Sequence, residues 1–164
     1  MTWLPFDLHP EYPPEGIPRA QLDARYGQRG RAHVEDMFER SGLTYNPPSD
    51  VVPNSKLALR ATELARDRGL QRAVHDRLMD AYWAEGRNIG DRGTLRPLLA
   101  EAGLADPDEA FEGEAYLARI AASTEQAASI GITGIPAFLL DERLLVLGAQ
   151  PREAFEQAFA RIRS

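Results

Sequence analysis

The chain has 164 residues, of which 43% are hydrophobic and 27% charged, proportions typical of one soluble domain or of one domain with an inserted subdomain. Its net charge of −6 argues against general nucleic-acid binding, and no apolar run is long enough to span a membrane. The first residues lack the basic and apolar regions of a signal peptide, so we expect a cytoplasmic protein.

Cysteine is absent, so the chain as given has no thiolate for disulfide exchange or for metal binding. The three histidines, His9, His33 and His75, show no paired spacing of metal ligands, and we predict no metal site.

The N-terminal part predicts one short strand and two helical segments. Trp3 to Leu8 alternates as a strand does, and Pro5 favours an edge position. A loop rich in proline follows, and helix is predicted from Pro18 to Tyr26 and from Arg31 to Arg40, with a break at Gly27 or Gly30.

Apolar residues at helical spacing predict a helical block in the middle of the chain. Asn54 is placed to cap the first of these helices. The predicted buried stripes are Leu57, Ala61, Leu64 and Ala65, then Val74, Leu78, Ala81 and Tyr82, then Leu95, Leu98 and Leu99. A last helix of the block passes through Tyr116 and Ile120 to about Ile130.

The C-terminal part predicts a loop, a hairpin and a closing helix. Gly131 and Gly134 give the loop freedom at positive φ, and Pro136 fits the first position of an edge strand ending at Leu140. A second strand covers Leu144 to Leu147, and the closing helix buries Phe155, Ala158, Phe159 and Ile162. The residues alone favour a trans bond between Ile135 and Pro136, since cis is the minority form of X-Pro bonds.

The run Gly131-Ile-Thr-Gly-Ile-Pro-Ala-Phe-Leu-Leu-Asp141, followed by the hairpin, Gly148-Ala-Gln-Pro151 and a closing helix, resembles the C-terminal half of a thioredoxin fold. The specific likeness is to the DsbA family and, within it, to the FrnE-like oxidoreductases. Asp80-Ala-Tyr-Trp-Ala-Glu-Gly-Arg-Asn-Ile-Gly-Asp91 resembles the helical insertion of these proteins. The resemblance implies an α+β thioredoxin-like fold, with 1–16 and 131–164 as the thioredoxin-like part and 17–130 as the helical insertion.

The resemblance also implies a cis bond at Pro136 and thiol-disulfide oxidoreduction as the family's activity. The family's first strand and its Cys-x-x-Cys have no counterpart here, and Met1 aligns with the second strand. We therefore expect no catalytic residue in this chain and no redox activity by itself.

In the thioredoxin fold, the missing strand would lie between Trp3 to Leu8 and Pro136 to Leu140. We expect these two strands to collapse together, a second copy to fill the gap as a homodimer, or upstream residues to be absent from the sequence given. An incomplete chain is the interpretation that we favour.

The resemblance transfers only secondary site residues, facing a thiol or disulfide substrate that is a protein or a small molecule. Thr133, Gly134, Ile135 and Pro136 would form the loop that faces the active site. Asn54, Tyr82 and Trp83 would line a groove between the subdomains, or serve as a helix cap and core aromatics. In the related kappa-class glutathione transferases and chromene-carboxylate isomerases, the loop binds glutathione, which Thr133 to Pro136 with Gly148, Ala149 and Gln150 would do here. A non-catalytic binding domain is the third alternative.

Overall fold

A computed structural model describes residues 2–163 of the protein, apart from the side chains of Tyr26, Gln28 and Arg29. It is 55% helical and 8% strand, which confirms the predicted α+β class. In chain order the elements are β1 (Ile17–Pro18), α1 (Arg19–Arg40), β2 (Val51–Val52), α2 (Lys56–Asp67), α3 (Gln71–Trp83), α4 (Arg92–Glu101), α5 (Asp108–Glu112), α6 (Glu114–Ser129), β3 (Ala137–Leu140), β4 (Leu144–Leu147) and α7 (Arg152–Arg163).

The chain divides into two compact units. The first contains the segment that ends at Leu8 and the segment from Ala121 onward, and the second runs from His9 to Ile120. The sequence-based boundaries at residues 16 and 130 stay a prediction.

The second unit contains an apolar core that the helical spacing predicted well. Helices α2, α3 and α4 pack together with α5, and their stripes are almost fully buried. Of the predicted positions, Leu57 and Tyr82 are only partly buried, at the margin of this core. The fully buried members include Ala61, Leu64, Val74, Leu95, Leu99 and Phe111.

Helix α1 is bent where the sequence predicts a break. Gly27 has φ of 67° and ψ of 175°, outside the helical region, so two helical segments meet there. Only glycine adopts such a conformation without a steric penalty. The short strand β1 precedes α1 in the chain and β2 follows it. The two strands pair antiparallel, with Ile17 opposite Val52.

A buried carboxylate in the second unit has two arginine partners. Glu63 is 1% exposed, and its oxygens lie 2.9 Å from Arg66 Nη2 and 3.5 Å from Arg119 Nη1. Arg119 also donates two hydrogen bonds to Asp67, at 2.8 and 3.1 Å, which lower the pKa of that carboxyl. The guanidinium groups supply the partners without which a buried charge is strongly destabilising.

The first unit is built on the hairpin of β3 and β4. The strands pair antiparallel, with Phe138 opposite Val146. At the turn, Asp141 and Glu142 both have positive φ, at 52° and 53°, as a turn of type I′ requires. Helix α7 packs on one face, where the rings of Phe138 and Phe155 meet edge to face with centroids 4.9 Å apart.

The predicted stripe of α7 is wrong at Phe159, which is 47% exposed, whereas Ala158 is buried. The sheet beneath α7 is only two strands wide among residues 2–163. The two strands are wide enough to cover Phe155 and Ala158 of α7 but do not extend to Phe159.

The strand predicted for Trp3 to Leu8 is also wrong, because the structure has no strand there. Side chains of α6 hold this segment instead. The amide of Asp7 donates to Thr124 Oγ1 at 3.0 Å, and Ser123 Oγ donates to the carbonyl of Pro5 at 2.7 Å. Backbone groups bound to hydroxyl groups in this way do not need a strand ladder.

Among the described residues, β3 pairs with β4 alone, so of the three alternatives for the free edge of β3, the collapse of residues 3–8 onto it does not occur. The alignment of Met1 with a second strand lies outside the described residues. None of the helices within residues 2–163 has both the length and the apolar character needed to traverse a membrane.

Candidate functional site

The loop that contains Pro136 starts at a well-defined helix end. The amides of Gly131 and Ile132 bond the carbonyls of Ala128 and Ala127, both at 3.0 Å, in a Schellman motif. Gly131 has φ of 86°, which favours glycine, and Ile132 is buried beneath the loop. This anchor fixes where the chain leaves α6.

The four predicted loop residues lie together at the surface. Thr133, Ile135 and Pro136 are exposed, Ile135 to 57%, and Gly134 is half-buried. The bond between Ile135 and Pro136 is cis, as the resemblance implied. The expectation of positive φ at Gly134 is wrong, since among residues 131–136 only Gly131 has it. The left-handed conformation is needed only where the chain leaves α6, at Gly131.

The predicted turn of Gly148, Ala149 and Gln150 contacts this loop directly. The amide of Gly148 donates to the carbonyl of Pro136 at 2.8 Å. The amide of Gln150 then donates to the carbonyl of Gly148 at 3.0 Å, and its side-chain Nε2 donates to that of Leu147 at 2.8 Å. The structure therefore brings these seven predicted residues together in the first unit.

Strand β3 continues the loop as a free backbone edge. Because Pro136 and Gly148 face each other, the alternation of an antiparallel ladder turns the backbone groups of Ala137 and Leu139 away from β4. No strand lies on that side among residues 2–163. Leu139 is 48% exposed. Sequence reasoning did not identify these two residues as site residues, although the hairpin register would have given them.

Asn54 lies in the second unit and is 8% exposed. Its Nδ2 donates to the carbonyls of Tyr12 and Pro13, at 2.7 and 3.3 Å, and its Oδ1 accepts from the amide of Lys56 at 3.0 Å. Ser55 directly precedes α2 and makes no side-chain capping bond, whereas Asn54 Oδ1 accepts the first amide of the helix, so the predicted capping role of Asn54 is confirmed. Asn54 lies just before the helix, where its side-chain amide group also donates to the carbonyls of the loop at Tyr12 and Pro13. Lys56 Nζ extends the same arrangement by donating to the carbonyl of Pro10 at 2.7 Å.

Tyr82 and Trp83 belong to an aromatic cluster with Phe38 and Tyr45, also in the second unit. The Trp83 ring lies 4.7 Å from Tyr82, 5.0 Å from Phe38 and 5.9 Å from Tyr45, measured between centroids. All four rings are partly buried, and burial raises the pKa of the Tyr45 phenol. The cluster offers apolar and stacking surface, as aromatic groups on a binding face do.

Arg19 was not singled out from the sequence, although it organises the polar side of this cluster. Its Nη2 donates to the Tyr82 hydroxyl at 3.2 Å, and its Nε donates to the carbonyl of Pro48 at 3.1 Å. The sequence offered no signal for this role, since Arg19 is one of eighteen arginines in the chain.

The predicted site residues thus form two groups. The loop and turn lie in the first unit, and Asn54, Tyr82 and Trp83 lie in the second. The groove predicted between subdomains stays a prediction. Within residues 2–163, no three histidine, aspartate or glutamate side chains are arranged as ligands for a metal ion.

Comparison with known proteins identifies the family. The profile of the DSBA-like thioredoxin domain matches residues 1–160. The uncharacterised protein YwbO of Bacillus subtilis is 26% identical over 164 residues, which are 98% of this chain and 80% of YwbO.

Two solved structures share the fold. A probable DsbA oxidoreductase of Streptomyces coelicolor, SCO1869, is 30% identical with a TM-score of 0.79, over 95% of this chain and 72% of that one. The cytosolic disulfide reductase DsbM of Pseudomonas aeruginosa, solved with GSH, is 26% identical with a TM-score of 0.62, over 84% of this chain and 76% of that one. The chain therefore belongs to the DsbA-like thioredoxin domains, a family of thiol-disulfide oxidoreductases.

Proposed function

We propose that this chain is a FrnE-like DsbA domain that binds an extended thiol or disulfide partner beside Thr133 to Pro136 and, as given, performs no exchange by itself. One observation carries the proposal. The exposed loop runs directly into the free edge of β3, whereas the sequence holds no cysteine.

Binding of a disulfide partner and exchange of its disulfide require different chemical groups. Disulfide exchange requires a thiolate that attacks a disulfide sulfur through a mixed-disulfide intermediate. This chain offers backbone groups at Ala137 and Leu139 and an apolar contact at Ile135, which together suit an extended peptide added to a sheet edge. The reacting thiols would come from the partner molecules.

The first prediction is that the purified chain has no insulin-reductase or dithiol-oxidase activity above the buffer background, because no residue supplies a thiolate. Turnover of reduced or oxidised substrate is followed with and without the chain. Activity that persists after contaminating thiol enzymes have been removed would contradict the redox-inactive proposal.

Binding is tested separately with a disulfide-containing peptide and the variant Ile135→Asp. Ile135 is 57% exposed, so the change should weaken binding while the thermal midpoint stays unchanged. Ile130→Asp is a matched control, because Ile130 is 48% exposed and precedes the loop. Equal loss of binding in both variants would point away from the loop.

Glutathione is a second candidate ligand, supported by the hydrogen bond that joins Gly148 to Pro136 and by the similarity to a DsbM structure solved with GSH. The loop and the turn together provide backbone donors and acceptors for a small peptide. The same neighbour, described as cytosolic, supports a cytosolic location as part of the proposal.

The second prediction is that glutathione raises the thermal midpoint in a concentration-dependent way, because a ligand that binds the folded state stabilises it by RT ln(1 + [L]/Kd). Ile135→Asp should abolish the shift, and Ile130→Asp should retain it. A midpoint that stays constant up to about 10 mM glutathione would exclude this candidate. Size-exclusion chromatography tests whether a second copy pairs with the free edge of β3 as a homodimer.

A further inference from the structure

Arg19 is a half-buried cation whose hydrogen-bond partners are all uncharged. Its Nε donates to the carbonyl of Pro48 at 3.1 Å, and its Nη2 donates to the carbonyl of Val51 at 3.4 Å and to the Tyr82 hydroxyl at 3.2 Å. It forms no ion pair with a carboxylate among the residues that the structure describes. A charge that is partly removed from water is stabilised by an opposite charge, which this guanidinium lacks.

Two of the five N–H groups of Arg19 are left without an acceptor. The three hydrogen bonds use the proton of Nε and both protons of Nη2. Nη1 has no acceptor within the described part of the chain and is not among the buried atoms that lack a partner, so it is open to solvent. The Tyr82 hydroxyl accepts from Nη2, and its own proton has no acceptor among the described residues either. Because Nη1 and Nη2 share one carbon, a single carboxylate can accept from Nη1 and from the hydroxyl together.

The aromatic cluster of Phe38, Tyr45, Tyr82 and Trp83 adjoins these donors. Tyr82 belongs to both, since its hydroxyl is bonded to Arg19 and its ring lies 4.7 Å from that of Trp83, measured between centroids. The rings of Trp83 and Tyr45 are 5.9 Å apart with 29° between their planes. All four rings are partly exposed, so a flat apolar group beside them would have ring faces and edges to pack against.

The other charged side chains that act on Tyr45 are paired with each other. Besides burial, which raises it, the pKa of the Tyr45 phenol is influenced by Arg19, Arg31 and Glu35. Arg31 and Glu35 form an ion pair with 2.9 Å between Nε and Oε1. Arg19 is therefore the charge beside the cluster that no described carboxylate balances, although the chain as a whole has a net charge of −6. Charge complementarity favours a ligand with a carboxylate at this position.

We propose that Arg19 and the aromatic cluster bind a carboxylate that a short linker joins to a flat apolar ring. The carboxylate accepts from Arg19 Nη1 and from the Tyr82 hydroxyl, and the ring packs against the cluster. A free aromatic acid has this chemistry, and so has a peptide whose last residue is aromatic. The site lies in the second unit and does not rest on the function proposed for the loop of Thr133 to Pro136.

The test uses the full chain with Trp3→Phe, which leaves Trp83 as the only tryptophan and changes a side chain that is 43% exposed. N-acetyl-phenylalanine is titrated while the emission of Trp83 is followed. We expect a saturable change whose midpoint rises with salt, because salt screens the pair between the carboxylate and Arg19. The neutral N-acetyl-phenylalanine amide should bind about tenfold more weakly, because it lacks the charge-assisted hydrogen bonds. N-acetyl-alanine, which has no ring, should also bind more weakly.

A further ligand, 3-phenylpropionate, distinguishes the two sources of this chemistry, since it has the ring and the carboxylate without the amide group of a peptide end. Binding at least as tight as that of N-acetyl-phenylalanine would assign the site to free aromatic acids. Weaker binding than that of N-acetyl-phenylalanine would assign it to peptide ends. Either result supports the proposal.

Arg19→Gln should weaken the binding of N-acetyl-phenylalanine by about tenfold and bring the acid and the amide to similar affinities. Arg40→Gln is the matched control, because Arg40 lies in the last turn of the same helix, pairs with Asp36 at 3.6 Å and is 77% exposed in its side chain. Thermal midpoints establish whether both variants fold, and the comparison of acid with amide at intact Arg19 decides the question if Arg19→Gln does not. Equal binding of acid and amide, equal weakening in both arginine variants, or no saturable change up to about 10 mM ligand would each overturn the proposal.

Discussion

Asn54 shows how one buried side chain determines the position of a loop. Its amide group joins the carbonyls of Tyr12 and Pro13 to the amide of Lys56, over 42 residues of sequence. Asparagine suits this position because one side chain both donates and accepts. The sequence predicted a polar residue at the start of α2 but not the loop that it holds, because nothing local in 9–16 identifies a distant partner.

The third prediction concerns this residue. Asn54→Ala should lower the free energy of unfolding by about 1–3 kcal/mol, because it removes the buried hydrogen bond to the carbonyl of Tyr12 and the acceptor of the Lys56 amide. Urea unfolding measures the difference. Asn46→Ala is the control, since the exposed Asn46 makes a single longer bond of 3.3 Å to the carbonyl of Ala84, and it should cost less than about 0.5 kcal/mol. Equal losses in the two variants would show that the loop is held by other contacts.

At the scale of elements, apolar periodicity predicted the helical block and the hairpin but failed in two places. Spacing identified α2, α3, α4, β3 and β4 because each buries a continuous stripe or alternates on a pleated surface. It failed for Trp3 to Leu8, where hydroxyl groups of Ser123 and Thr124 replace a ladder, and for Phe159, where the sheet is too narrow. Both failures depend on what lies across from the element, which periodicity does not report.

The fourth prediction compares the two glycines of the loop. Gly131→Ala should lower the free energy of unfolding by about 1–2 kcal/mol, because φ is 86° there and a Cβ would meet no neighbour, so only backbone strain contributes. Gly134→Ala also meets open space and has no positive φ, so stability should stay unchanged or rise by up to about 1 kcal/mol. The comparison uses thermal or urea unfolding, and an equal loss for both glycines would argue against the Schellman ending of α6.

At the scale of the whole molecule, buried apolar surface is unevenly distributed between the two units. The contiguous core of Ala58 to Tyr116 lies entirely in the second unit, whereas in the first unit Ile132 and Ala158 are the hydrophobic residues described as buried. The sequence indicated the family and the helical block through motifs that lie close together in the chain. It did not predict this imbalance, because burial depends on how elements from distant parts of the chain pack.

The fifth prediction follows from that imbalance. In native-state hydrogen exchange, amides of α2 to α4 should exchange more slowly than amides of β3 and β4, because regions with few buried contacts open at lower free energy. Mass spectrometry of peptides from 56–101 and 137–147 provides the measurement. Slower exchange in the hairpin than in the helices would contradict the expected order of opening.

The bond between Lys56 and the carbonyl of Pro10 has a practical consequence, because Lys56 is the only lysine in the sequence. Amine-directed reagents therefore have one side-chain target, and acylation would remove the charge that holds the carbonyl at 2.7 Å. A fluorophore attached there would lie against the loop from Pro10 to Pro13 that Asn54 secures. Its emission would report directly on whether that loop stays docked when a ligand binds elsewhere on the chain.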